Sequence, residues 1–190
     1  MNSENVLGLC IAAVLLLCIS TKADFESDVL ISHNLFRMKH GCPIFYLDDD
    51  CSAECKKYAE KLAEEEELNH SAANGTYGEN LCYTTEQAEL CVQMWYDEVK
   101  EYDFDKAEYS PATRHFTQLI WKATKSLGVG QATSASGRHF VVARYKPAGN
   151  TEGMFKENVP KALSFGHRIH TSKYFTLFSW LFPALPLQTF

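Results

Sequence analysis

A chain of 190 residues that is 46% hydrophobic has the length of one domain and can bury a core without metal or disulfide staples. Its 18 basic and 24 acidic residues leave a net charge of -6, with the lysines and arginines scattered among acids. No phosphate-binding stripe results, which argues against nucleic acid as a partner and against simple electrostatic attachment to anionic lipid.

Val6 to Ile19 is an apolar run of signal-peptide length, followed by the small-residue pattern Thr21-Lys22-Ala23. The run is short for a membrane span, so residues 1–23 read as a signal peptide cleaved after Ala23, and the chain as secreted and extracellular. Cys10 and Cys18 would leave with it. Cys42, Cys51, Cys55, Cys82 and Cys91 then remain in a disulfide-permissive compartment. Five cysteines allow at most two bridges, and their connectivity is open. No Cys-x-x-Cys pair is present, which argues against a metal site built of cysteines. Asn69-His70-Ser71 and Asn74-Gly75-Thr76 are acceptor sequons, making Asn69 and Asn74 candidate glycosylation sites.

Residues 26–40 carry Val29, Leu30, His33, Phe36 and Arg37 at helical spacing, with Gly41 and Pro43 as the stop. Asp50 is the expected N-cap of a second helix whose buried stripe is Cys55, Tyr58, Ala59 and Leu62. Glu64 to Glu67 form its wet face. Cys51 and Cys55 lie one turn apart and face the core. Tyr77 to Tyr83 reads as a strand. Between Thr85 and Tyr102 the apolar positions Ala88, Cys91, Val92, Trp95, Val99 and Tyr102 predict one long helix, with Thr84 and Gln87 spaced as a capping box. Glu98 sits at the edge of that stripe, where a carboxylate needs a partner.

Ser110-Pro111 or Thr113 starts a shorter helix through Trp121. Leu127 to Thr133 and Arg138 to Tyr145 read as strands joined by a turn at residues 134–137. His139-Phe140-Val141-Val142-Ala143 does not alternate cleanly, which suits a strand covered on both faces. Helices thus flank a small sheet in an α+β order. Trp95, Phe116 and Trp121 are expected in the core. Residues 161–190 end in the apolar run Tyr174 to Phe190 and read as a disordered hydrophobic extension, with weak membrane contact as its one implied role.

The segment His115-Phe116-Thr117-Gln118-Leu119-Ile120-Trp121 sets a histidine beside an apolar cluster. Together with Phe140 to Tyr145, Leu30-x-x-His33-Asn34-x-x-Arg37, Gly78-Glu79-Asn80 and Trp95-Tyr96-x-Glu98, it resembles the CAP superfamily of cysteine-rich secretory, antigen and pathogenesis-related proteins. The likeness covers residues 24–160. Tyr145 to Asn150 and Glu152 to Pro160 look most like the Golgi-associated plant pathogenesis-related branch. The chain departs from that branch in its signal sequence and extra cysteines. It departs from typical secreted members at Ala143, where their second signature has a cysteine, so the bridge at that strand is absent.

The resemblance implies a three-layer α-β-α sandwich around a small mixed, mainly antiparallel sheet, with a cleft lined by His70, Glu79, Glu98 and His115. His70 and His115 could hold zinc or another divalent metal, with the carboxylates fixing the imidazole tautomers. It further implies a non-enzymatic secreted protein that binds a lipid, sterol or other small ligand. Two alternatives stand beside it: a metal-dependent hydrolase using a glutamate as general base, and a signalling or immune-defence ligand of a protein receptor. No nucleophile with a neighbouring base is visible, so no catalytic residue is assigned. His33, His40, His139, His167 and His170 lack such partners in the sequence.

Overall fold

The computed structural model describes residues 25–72 and 75–164. Residues 1–23, read above as a signal peptide, lie outside the described residues, as do Asn74, His167, His170 and the apolar run at 174–190. Helix α1, Phe25–Lys39, turns Val29, His33 and Arg37 inward at successive turns, and the chain leaves it through Gly41 at φ 67°, a conformation that favours glycine. A two-residue strand β1, Tyr46–Leu47, follows. Helix α2 spans Asp49–Glu65. Its N-cap is Asp48 and not Asp50: Asp48 has extended backbone and accepts the Cys51 N–H at 3.0 Å, while Asp50 lies inside the first turn. Glu66 ends the helix at φ 55°, anchored by Arg138 at 3.0 Å.

Strand β2, Gly78–Thr84, leads to helix α3, Leu90–Asp97, and a 3₁₀ turn, Glu98–Glu101. The long helix expected over 85–102 is therefore interrupted at both ends. Thr84 accepts the Glu86 N–H two residues on, an arrangement that forms a turn instead of a capping box. Leu90, Cys91 and Val92 then bond back three residues, so the α-helix begins only at Leu90. Helix α4, Arg114–Ile120, strands β3, Ser126–Thr133, and β4, His139–Lys146, and the short helix α5, Phe155–Asn158, complete the order.

The sheet runs β1-β3-β4-β2. β1 pairs parallel with β3, and the other pairs are antiparallel. Helix α2 covers one face, where Cys51, Cys55, Ala59 and Leu62 pack with Leu81, Phe140 and Val142. Helices α1, α3 and α4 cover the other, around Leu127, Val129, Val141, Ala143 and Tyr145. This is the three-layer α-β-α sandwich. Burial of β4 on both faces accounts for its unbroken apolar run. Trp95, Phe116 and Trp121 are core residues, at most 2% exposed. Among the described residues one disulfide forms, Cys82–Cys91, joining β2 to the start of α3, and Cys42, Cys51 and Cys55 are free and buried. No helix of the described residues is long and apolar enough to cross a membrane.

Glycines set the distance between α2 and the sheet. A Cβ on Gly130 would stand 2.2 Å from the backbone nitrogen of Lys56, and one on Gly128 would stand 2.5 Å from Cys51 Sγ. The close approach lets Ser52 Oγ accept the Val129 N–H at 3.1 Å, beyond the reach of the two-residue β1. Gly130→Ala must push the helix off the sheet, because the obstacle is backbone. We expect it to cost about 1–3 kcal/mol in urea unfolding, and wild-type stability would show that α2 moves freely.

Candidate functional site

Glu79, on β2, directs its carboxylate to the α2 face and is 4% exposed. His70 Nδ1–H donates to it at 3.0 Å, the Ser71 N–H at 2.9 Å, Ser71 Oγ–H at 2.6 Å and Arg144 Nε–H at 3.1 Å. Arg144 in turn lies over the rings of Tyr77 at 4.4 Å and Tyr58 at 5.2 Å. The Tyr58 hydroxyl donates to Asn69 O at 2.6 Å, which pins the loop that carries His70. Burial pushes the Glu79 carboxyl up, but the bonds from His70, Ser71 and Arg144 outweigh it and hold the group at about 2.

The second pair is built around α4. Glu98 Oε1 accepts from His115 Nδ1–H at 2.6 Å. Its Oε2 accepts the backbone N–H groups of His115 at 3.0 Å and Phe116 at 3.1 Å, so a side chain 17 and 18 positions away caps the first turn of this helix. In both pairs Nδ1 carries the proton, which leaves the lone pair of the neutral ring on Nε2.

Asn80, the next residue on β2, points to the opposite face from Glu79. Its Nδ2 donates to His115 O and to the Tyr145 hydroxyl, both at 3.1 Å. His33 donates from Nδ1 to Val29 O at 2.8 Å, so its Nε2 accepts the Tyr145 hydroxyl at 2.9 Å. Burial lowers the His33 pKa to about 4, which keeps the ring neutral and the relay intact. His33 is thus a structural residue, as is His40, held by Pro160 O and the Tyr96 hydroxyl.

The four residues named from the sequence form two imidazole–carboxylate pairs, His70 with Glu79 and His115 with Glu98. Beside the His115 pair lies an open groove of about 430 Å³, walled by Leu68, Leu81, Tyr83, Met94 and Trp95 with Cys82 of the disulfide, and ending in Glu98 and His115. His70 and Glu79 are not among its lining residues. Sequence reasoning missed Ser71, Tyr77, Arg144 and the Asn80–Tyr145–His33 relay. Arg144 and Tyr145 lay within a quoted motif, and an arginine at a buried strand position was the available signal for a carboxylate partner.

A sequence profile of the cysteine-rich secretory protein family, CAP, matches residues 30–145. The chain belongs to this family. Golgi-associated plant pathogenesis-related protein 1 of Homo sapiens is 41% identical over 146 residues, covering 74% of this chain and 95% of that protein, in agreement with the branch likeness of residues 145–160. Secreted protein RBT4 of Candida albicans is 33% identical over 135 residues, 68% of this chain but 36% of that longer protein. The crystal structure of NaASP2 with Zn2+ superposes with a TM-score of 0.57 at 20% identity, covering 77% of this chain and 90% of that one, a likeness of fold. Relatives of this CAP chain thus include a protein named as Golgi-associated and one named as secreted.

The depressed Glu79 carboxyl makes a stability prediction with a definite sign. Its folded value, about 2, lies below the ordinary 4.5, so its contribution is fully present above pH 4.5 and is lost as pH falls toward 2. The difference corresponds to about 3 kcal/mol. Thermal unfolding should show wild type losing that much relative to Glu79→Gln across this window, and parallel pH profiles would contradict it.

Proposed function

We propose that this CAP chain is a non-enzymatic, extracellular binding protein that takes a lipid, sterol or similar small apolar ligand in the groove beside His115. His70 and His115 supply a two-nitrogen site for zinc or another divalent ion. One observation carries the reading: both carboxylates of the site are spent on holding the protein together. Glu79 accepts four hydrogen bonds from protein donors and Glu98 three. A glutamate acting as general base must instead reach a substrate or its water. Glu79 at about 2 is moreover far from the near-neutral value that suits a base.

The groove supports the ligand class. Its volume falls within the usual range for small-molecule sites, and its apolar wall with one polar end suits an amphipathic molecule. The donor chemistry fits a metal in kind: each ring is oriented by a carboxylate at Nδ1, the arrangement that typically supports histidine ligation through Nε2. It is small in number, since among the described residues no group of three or more His, Cys, Asp or Glu side chains could hold an ion. The bound ion would supply positive charge at the polar end of the site. Zn2+ in the NaASP2 structure and the secreted relative RBT4 accord with this reading.

Two measurements test it. Titration of the purified chain with a fluorescent sterol and a fluorescent fatty acid should saturate with at least one, and Met94→Asp in the groove wall should weaken binding tenfold or more. Absence of saturable binding by both defeats the ligand reading. Calorimetric zinc titration should show His70→Ala and His115→Ala each reducing affinity, and Glu98→Gln reducing it about 10- to 100-fold through loss of ring orientation. Unchanged zinc affinity in either histidine variant removes the shared site.

A further inference from the structure

Two cavities meet at Glu108, in the segment between the 3₁₀ turn and α4, and share no lining residue with the groove beside His115. The larger, of about 590 Å³, is lined by Glu108, Tyr109, Asn150, Glu152 and Phe155 among others. Its wall is held by the fold. Thr117 Oγ1–H donates to Asn150 Oδ1 at 2.7 Å and Asn150 Nδ2–H donates to Arg114 O at 2.9 Å, which fixes Asn150 at φ 55°. Phe155, 1% exposed, packs edge-on against Trp121 and Tyr109, with ring centroids 5.1 and 6.4 Å apart. Tyr109 itself stays half exposed.

The smaller cavity, of about 180 Å³, is lined by Glu101, Tyr102, Asp103, Lys106, Glu108 and Thr113, with Ser110. Its charge is unbalanced. Lys106 stands 4.0 Å from Asp103, whereas among the described residues no basic side chain pairs with Glu101, Glu108 or Glu152. A second observation is independent of charge: Tyr102 and Thr113 are 7% and 1% exposed, and their hydroxyls have no hydrogen-bond partner. Buried hydroxyls left in this way cost free energy that a bound donor recovers.

The carboxylates do not converge on one point, since among the described residues no three His, Cys, Asp or Glu side chains could hold a metal ion. Separated negative groups, an aromatic ring and unmet acceptors suit a cation whose charges are spread along an apolar stem. We propose that the two cavities together bind an aliphatic polyamine. One ammonium group sits among Glu101, Glu108 and the hydroxyls of Tyr102 and Thr113, and a second lies against Glu152 and the ring of Tyr109. A terminal ammonium brings three N–H donors and no acceptor, which matches this lining. The net charge of -6 favours the approach of such a cation.

Calorimetric titration of the chain with spermidine should saturate at one molecule per chain. Butylamine, with a single ammonium group, should bind about tenfold or more weakly. Glu108→Gln should weaken spermidine about tenfold or more, while Glu64→Gln, an acid of α2 outside both cavities, should leave it unchanged. Thr113→Val separates a ligand contact from a scaffold role, because this side chain makes no cap bond to α4. The variant should keep or raise the Tm of the ligand-free chain and weaken spermidine about tenfold. Absence of saturable binding, equal affinity for butylamine, equal losses in Glu64→Gln and Glu108→Gln, or wild-type affinity or a lowered Tm in Thr113→Val would each overturn the site.

Discussion

A seven-residue helix cannot hold itself together in water, because too few backbone bonds repay the ordering of its first turn. Helix α4, Arg114–Ile120, carries His115 and survives because a charge grips each end. At the start, Glu98 accepts the N–H groups of His115 and Phe116. At the finish, Arg37 donates to Leu119 O at 3.0 Å and Trp121 O at 2.9 Å. The signs match the helix dipole, negative at the amino end and positive at the carboxyl end. Arg37 is 0% exposed, and it meets the cost of burying its charge with further carbonyls of Pro43 and Thr124 and the face of Phe45 at 3.7 Å. Burial still lowers its pKa to about 10, so the guanidinium stays charged.

The site is a by-product of the same arrangement. The Glu98 oxygens that cap α4 also fix the ring of His115, and the Glu79 oxygens that neutralise Arg144 also fix the ring of His70. Strand β2 distributes the work by its pleat: Glu79 serves the α2 face, Asn80 the opposite face. The Cys82–Cys91 bridge then holds α3 against β2 where the groove opens. A carboxylate that carries the fold in this way has little capacity left for proton transfer.

Much of this was legible in the amino-acid order. The stripe of α2 and the strands β2, β3 and β4 followed from periodicity, because burial of one face or both is written directly into residue spacing. Other features were hidden by local ambiguity. Asp48, Asp49 and Asp50 are equivalent caps on paper, and only the extended backbone of Asp48 decides between them. The apolar period across residues 88–102 is helical, yet it spans a turn, α3 and a 3₁₀ segment, because the chain must bend to bring Glu98 under α4. Two residues of β1 leave no period at all.

The sequence by itself determined the family, because its motifs are local strings of residue types, and that resemblance, not spacing, implied the layer order and pointed to His70, Glu79, Glu98 and His115. It did not determine which carboxylate serves which imidazole, that Arg144 shares Glu79, or that Arg37 ends in carbonyls. Those partners stand between 6 and 87 positions apart along the chain. Only the packing of α2 and α4 on opposite faces of one sheet makes them neighbours, and a hydrogen bond acts on separation in space alone.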